Sequence, residues 1–264
     1  MPSRVVLITG AAGGLGTVMT AALLKDGHAV AAVDRSAEAL AATIGLAGAG
    51  ERLTSYVIDI TDTAAVAELP GRVVADHGVV DGVVNMAGIV QPFDPVAELA
   101  DAAIERVLAV NLDGTLAMCR AFLPHLLERP EAHLANVSSM GGFFPFPGQT
   151  IYGASKAAVK LLTEGLYAEL LDTSVRVSVI FPGAVRTEIT TNSGVEGPVA
   201  RTEDAKVPMT TPAKAAQIMI RGIERDRLHI YVGTDAKLMS VAIKVAPRAA
   251  IRLVKGLMAR QLSG

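Results

Sequence analysis

A single cysteine, Cys119, is all the thiol chemistry that 264 residues carry. One cysteine cannot close an internal disulfide, and nothing in the chain asks for an oxidising compartment. Cys119 lies in the apolar helical run N-L-D-G-T-L-A-M-C-R-A-F-L, where a buried small hydrophobe is expected. No basic stripe or long Lys/Arg block appears and the formal net charge is −2, which argues against nucleic acid as a partner. The five histidines, at positions 28, 77, 125, 133 and 229, lack metal-ligand spacing, so no metal is expected. There is no G-x-S-x-G elbow for an acyl hydrolase. No run reaches the roughly 18 consecutive apolar residues of a membrane span. The chain opens on an apolar strand rather than a basic leader. A cytoplasmic protein is the expectation.

What is present is a large apolar fraction, 51%, in a length that suits one α/β domain over residues 1–264. Apolar runs of strand length alternate with helical stretches. Strands are expected at Arg4–Thr9, Ala29–Val33, Leu53–Ile58, Gly82–Asn85, Leu134–Ser138, Val175–Phe181 and His229–Val232. Helices are expected at Leu15–Lys25, Ala37–Ile44, Thr61–His77 with a kink or break at Pro70, Ala100–Phe122 with an irregularity near Gly114, and Tyr152–Leu171. Strands separated by helices indicate a seven-stranded parallel sheet covered on both faces, a doubly wound Rossmann-like fold. The polar stretch 188–210 is long for a structureless loop and is expected to be a substrate lid. The tail 236–262 alternates apolar and basic residues and should form one or two amphipathic helices, interrupted near Pro247.

T-G-A-A-G-G-L-G places Gly10, Gly14 and Gly16 at a strand-to-helix turn. Missing side chains let the backbone approach a pyrophosphate, whose charge then faces a helix N-terminus. The spacing differs from the usual G-x-G-x-x-G, so the turn alone is weak evidence. Asp34 ends the second strand 18 residues after Gly16. A carboxylate there accepts hydrogen bonds from a ribose diol and repels a 2′-phosphate, which favours NAD over NADP. Arg35 could soften that preference, or be a solvated surface residue. Asp59 either meets the adenine amino group or caps the next helix. Asn85 and Gly88 either let the loop pass close to the cofactor or simply form a turn. Leu15, Ile60 and Ala87, beside these residues, complete the expected contacts around the glycines and the third and fourth strand ends.

Tyr152 and Lys156 stand four residues apart in I-Y-G-A-S-K. On a helix they share one face. An ammonium beside a phenol lowers the phenol's pKa. A tyrosine able to trade a proton near neutral pH suits interconversion of an alcohol and a ketone.

Together these motifs resemble the short-chain dehydrogenase/reductase family. The resemblance rests on T-G-x-x-x-G-x-G at Thr9–Gly16, N-M-A-G at Asn85–Gly88, Asn111, Ser138–Ser139, Y-G-A-S-K at Tyr152–Lys156 and P-G-A-V-R-T at Pro182–Thr187. Met86 departs from the pattern, which commonly has a second Asn there. The resemblance implies a catalytic tetrad of Asn111, Ser139, Tyr152 and Lys156. In it Tyr152 is the general acid/base and Ser139 aligns the substrate oxygen. Lys156 holds the nicotinamide ribose, and Asn111 binds a water on a proton path. Ser139, 13 residues before Tyr152, fits that pattern better than Ser138. It also implies that Pro182 and Gly183 shape the loop under the nicotinamide and that Val185 and Thr187 meet its carboxamide.

The loop G-G-F-F-P-F-P-G-Q at 141–149 holds three of only six phenylalanines. It predicts an apolar pocket wall, unless some rings turn into the core. A medium or large hydrophobic ketone or secondary alcohol follows: steroid-like, aromatic, alicyclic or long-chain. A carrier-bound ketoacyl group and a ring dihydrodiol are the alternative substrates; a cofactor-sensing or scaffold protein is the non-enzyme alternative. The resemblance also implies a homodimer or homotetramer. The tail is expected to pack on protein in preference to a membrane surface.

Overall fold

The computed structural model describes residues 3–47, 50–186, 189–195 and 209–262. Seven strands form one sheet: β1 (Val5–Thr9), β2 (Ala29–Asp34), β3 (Leu53–Val57), β4 (Gly82–Asn85), β5 (Ala132–Val137), β6 (Val175–Pro182) and β7 (His229–Val232). Their order is β3-β2-β1-β4-β5-β6-β7, and every neighbouring pair is parallel. The chain order reverses between β1 and β4. In such sheets the loops leaving those two strands part and open a crevice at the carboxyl edge.

Side chains alternate along each strand, and the two faces gather separate cores. Leu7, Ala31, Val33, Val83, Leu134 and Val177 face one side. There they meet α3 (Thr63–His77) and α5 (Thr115–Leu127) through Val66, Leu69, Met118 and Phe122. Ile8, Val30, Ala32, Val84, Ala135 and Ile180 face the other. There they meet α1 (Gly14–Lys25), α2 (Ala37–Ala47) and α8 (Pro212–Ile223) through Met19, Leu23, Leu40 and Met219. The sheet is thus doubly wound, as its near-continuous apolar strands required.

Helix ends follow local chemistry. Asp62 caps α3 by accepting from the Ala64 and Ala65 amides, both at 3.1 Å. The helix then runs through Pro70 without a break. Pro70 is buried on the core face, so tertiary packing overrides the local cost of proline.

The stretch expected as one long helix is α4 (Asp101–Leu108), a π-helical turn over Ala109–Gly114, and α5. A π-turn inserts a residue and re-aims the side chains within it. A Cβ at Gly114 would lie 2.7 Å from the Ile60 side chain, so this crowded turn requires glycine. The continuous stretch Asp101–Leu127 is long and apolar enough to cross a bilayer by length and composition. Its residues Met118, Cys119, Phe122 and Leu126 are instead buried as a layer of the fold.

Downstream lie α6 (Thr150–Glu169), the short α7 (Ile189–Asn192), α9 (Thr234–Val245) and α10 (Pro247–Leu262), the last two parting at Ala246–Pro247 as expected. Most of the stretch expected as a lid, 188–210, lies outside the described residues. Within it, Ser193 accepts from the Val90 amide at 3.0 Å, and Thr210 donates its amide to Ala184 O at 2.9 Å.

Candidate active site

The turn after β1 is built for close backbone approach. Gly10 has φ +67°, and a Cβ there would lie 2.9 Å from the Ala87 backbone. A Cβ on Gly16 would collide with Gly10 O and sit 2.8 Å from Ala11 Cα. Helix α1 begins here behind Gly13, with no side-chain cap on its first amides. Those donors need an acceptor from elsewhere, and an anion at the helix N-terminus meets that need. Gly14 is exposed and Leu15 half-buried at this opening. The residues present therefore fit a dinucleotide pyrophosphate.

Asp34 closes β2 with both carboxylate oxygens engaged. Oδ2 accepts from the Ala12 amide at 3.1 Å and Oδ1 from the Ser36 amide at 3.2 Å. One carboxylate thus ties the glycine turn to the end of β2. Arg35 is exposed and its charge acts on Asp59, whose pKa is lowered chiefly by the Thr61 amide. Asp59 Oδ1 accepts from both the Thr61 amide and hydroxyl, at 2.9 and 2.7 Å. Asp59 caps its own turn, and Asp62 rather than Asp59 caps α3. Ile60 is buried against Gly114, so its side chain belongs to the core.

Asn85 is 3% exposed and turns inward. Its Nδ2 donates to Asn136 Oδ1 at 2.8 Å, and Asn136 Nδ2 donates to Thr163 at 3.0 Å. An unpaired buried amide costs about 1–3 kcal/mol, so this chain from β4 through β5 to α6 resists slippage. Thr9 Oγ1 accepts from the Met86 and Ala87 amides and holds the next loop against β1. Gly88 lies beside Lys156 and Asn111: a Cβ there would be 3.0 Å from Lys156 Nζ and 3.2 Å from Asn111 Oδ1.

Asn111 sits fully buried in the π-turn. Its Oδ1 accepts from the Ile89 amide at 2.8 Å; its Nδ2 donates to Ile89 O and to Ser155 Oγ at 2.9 and 3.0 Å. The amide group clamps the loop after β4 with both donors in use.

The two serines divide. Ser138 Oγ donates to Lys156 O at 2.7 Å and pins α6 to the end of β5. Ser139 accepts from the Gly141 amide at 3.0 Å, and its hydroxyl and the Tyr152 ring both border Gly141, 3.5 and 3.2 Å from where its Cβ would be. Only Ser139 faces the phenol. Lys156 is 3% exposed, and its ammonium donates to Val137 O at 3.0 Å. Burial lowers its pKa to about 8. The expectation that this ammonium lowers the tyrosine is not met: burial raises Tyr152, and the Ser139 hydroxyl draws it partly back.

Two positioning residues escaped sequence reasoning. Gln91, fully buried, accepts from the Ile151 and Tyr152 amides at 2.7 and 2.9 Å. It caps α6 from 60 residues away. Asp235 accepts from the Ala184 amide at 2.6 Å, and a Cβ on Gly183 would collide with its carboxylate. It fixes the Pro182–Gly183 loop, and Val185 bridges Thr210 beside it. Thr187 lies outside the described residues.

The phenylalanine wall needs correction. Phe144 is fully buried, and Phe143 packs edge-on against Phe181 and Tyr231 at 5.3 and 5.9 Å. Phe146 alone of the three is half-buried without entering that aromatic cluster. Cys119 is buried as expected, and burial lifts its thiol to about 11.

Residues 4–196 match the family model described as short chain dehydrogenase. A 1-deoxy-11-beta-hydroxypentalenate dehydrogenase from Streptomyces avermitilis is 35% identical over 240 residues, covering 89% of this chain and 86% of that protein. A short chain dehydrogenase from Burkholderia cenocepacia in complex with NADP superposes with TM-score 0.80 at 29% identity, covering 96% and 97% of the two chains. One from Burkholderia phymatum in complex with NAD gives 0.81 at 25%, covering 92% and 95%.

Replacing Gln91 with Leu leaves two α6 amides unpaired. It should cost about 1–2 kcal/mol in urea unfolding. It should also lower kcat more than affinity for reduced cofactor, and an unchanged kcat at matched stability would remove Gln91 from the site's construction. The lowered Lys156 has a linkage signature. Between about 8 and 10.5 the unfolded chain holds a proton that the folded chain has released, so stability rises with pH across that window. Urea midpoints of the cofactor-free protein should climb there relative to a Lys156→Met variant; parallel curves would contradict the burial argument.

Proposed function

We propose, from the premise that the chain belongs to the short-chain dehydrogenase family of NAD(P)-dependent oxidoreductases, that it interconverts a secondary alcohol and a ketone. The observation that carries this reading is the Ser139–Tyr152 pair, set one helical turn from the buried Lys156. When bound, a nicotinamide would supply or accept the hydride. Tyr152 would protonate the carbonyl oxygen in reduction and accept the hydroxyl proton in oxidation. Ser139 would hydrogen-bond the same oxygen and fix its position. Lys156 would place positive charge near the phenol and favour its ionised form. Asn111 would keep the β4 loop, and Gly88 with it, against Lys156.

NAD is the proposed cofactor. The Asp34 carboxylate at the end of β2 supports this, since it would repel a 2′-phosphate. The solved relatives hold one cofactor each, NAD in one and NADP in the other. The proposed substrate is a medium or large hydrophobic molecule. Phe146 ahead of Tyr152 supports it, as does the hydroxypentalenate named for the Streptomyces relative.

Tyr152→Phe should lower kcat about a thousandfold, within the range of general acid–base contributions, while reduced-cofactor fluorescence still reports binding. A variant that keeps turnover would reject Tyr152 as the acid/base. Asp34→Ala should cut the NADH-over-NADPH preference in kcat/KM about tenfold, equivalent to about 1.4 kcal/mol. A preference that stays fixed would remove Asp34 as its source.

A further inference from the structure

The carboxyl-terminal helices hold a surface that hydride transfer does not use. On α9, Ala236 and Ser240 are buried against the body, while Leu238, Val241 and Val245 are 65, 60 and 77% exposed. Spacings of three and four residues put these three on one stripe. On α10, Ala250 faces inward while Ile251 and Leu253 face out. Scattered exposed hydrophobics are ordinary. A stripe on one helix beside further exposed apolar residues on the next is a surface that calls for a partner.

Charge is segregated onto the same helices. Residues 236–264 carry six cations, Lys237, Lys244, Arg248, Arg252, Lys255 and Arg260, and no acid. The rest of the chain keeps 18 cations and all 26 acids, a net of −8. Lys237, Lys244, Arg248, Arg252 and Lys255 are all exposed, interleaved with the apolar residues.

We infer that α9 and α10 form a docking surface for an anionic lipid bilayer. Basic residues beside an apolar stripe suit the headgroup boundary, where the cations meet lipid phosphates and the stripe enters the acyl region. A second copy of the chain fits less well, because self-pairing of this face sets like charges against each other. Nucleic acid would satisfy the cations and leave the stripe in water. The surface begins at the functional edge of the sheet: α9 follows β7, and Asp235 in its first turn holds the Ala184 amide of the loop after β6. A bilayer would thus meet the protein on the side where a hydrophobic substrate enters. The inference is independent of the hydride-transfer reading, because docking needs neither cofactor nor turnover.

The test is co-sedimentation of the full chain with phosphatidylcholine vesicles, with and without about one third phosphatidylglycerol. Binding should require the anionic lipid and weaken with salt. Lys237→Glu with Lys244→Glu should reduce partitioning about tenfold or more. Leu238→Ser with Val241→Ser and Val245→Ser should also reduce it, with thermal melting and reduced-cofactor binding unchanged in both variants. No binding to the anionic vesicles, or equal binding by the charge-reversed variant, would overturn the inference. So would a parent dimer that the serine variant splits, which would assign the face to a second copy. Vesicle binding lost in a variant whose melt is also lost would be repeated with Val245→Ser alone; full binding there would count against the stripe.

Discussion

Parallel pairing delivers the end of every strand to one edge of the sheet, and the functional residues depend on how the chain behaves there. Past the last ladder bond each strand end must find new partners for its backbone. Thr9 supplies them to the β4 loop, Asp34 to the glycine turn, Ser138 to α6 and Asp235 to the β6 loop. The residues that would touch cofactor or substrate are carried by segments that side chains from neighbouring strand ends have already fixed. Such preorganisation is what a hydride donor and its acceptor need.

Helix α6 shows the cost and the use of that arrangement. Gln91 holds its first turn, and Ser138 holds it at the Lys156 carbonyl. These three bonds place Tyr152 beside Ser139 and sink Lys156 out of water. Burial then works against ionisation at both positions, raising the phenol and lowering the ammonium. The same low-dielectric surroundings strengthen any charge interaction made within them.

Much of this was legible in the sequence because it is local. The strands announced themselves as apolar runs, the glycine turn by its spacing, and the Tyr152–Lys156 pair by helical periodicity. Ser139 over Ser138 came from its distance to Tyr152, and the side-chain bonds separate the two in the same way. Residues that act across the fold left no such trace. Gln91 reads as one polar residue in a loop, and its capping role exists only once β4 lies beside the start of α6. Asn85 and Asn111 carry a family signature, yet their side chains brace loops and strands from within. Phe143 turns toward the body because β6 and β7 offer Phe181 and Tyr231, a contact between segments far apart in the chain. The π-turn was visible only as an irregularity near Gly114; its crowding by Ile60 is a tertiary fact.

The central claim is that this edge of the sheet transfers hydride between a nicotinamide and a carbonyl carbon. The measurement that meets it most directly is reduced-nicotinamide absorbance over a panel of hydrophobic ketones and secondary alcohols, with NAD(H) and NADP(H) side by side. The account predicts cofactor-dependent turnover of at least one alcohol–ketone pair, faster with NAD(H). Tight cofactor binding with no turnover across the panel would contradict it and favour a protein that senses the cofactor without using it.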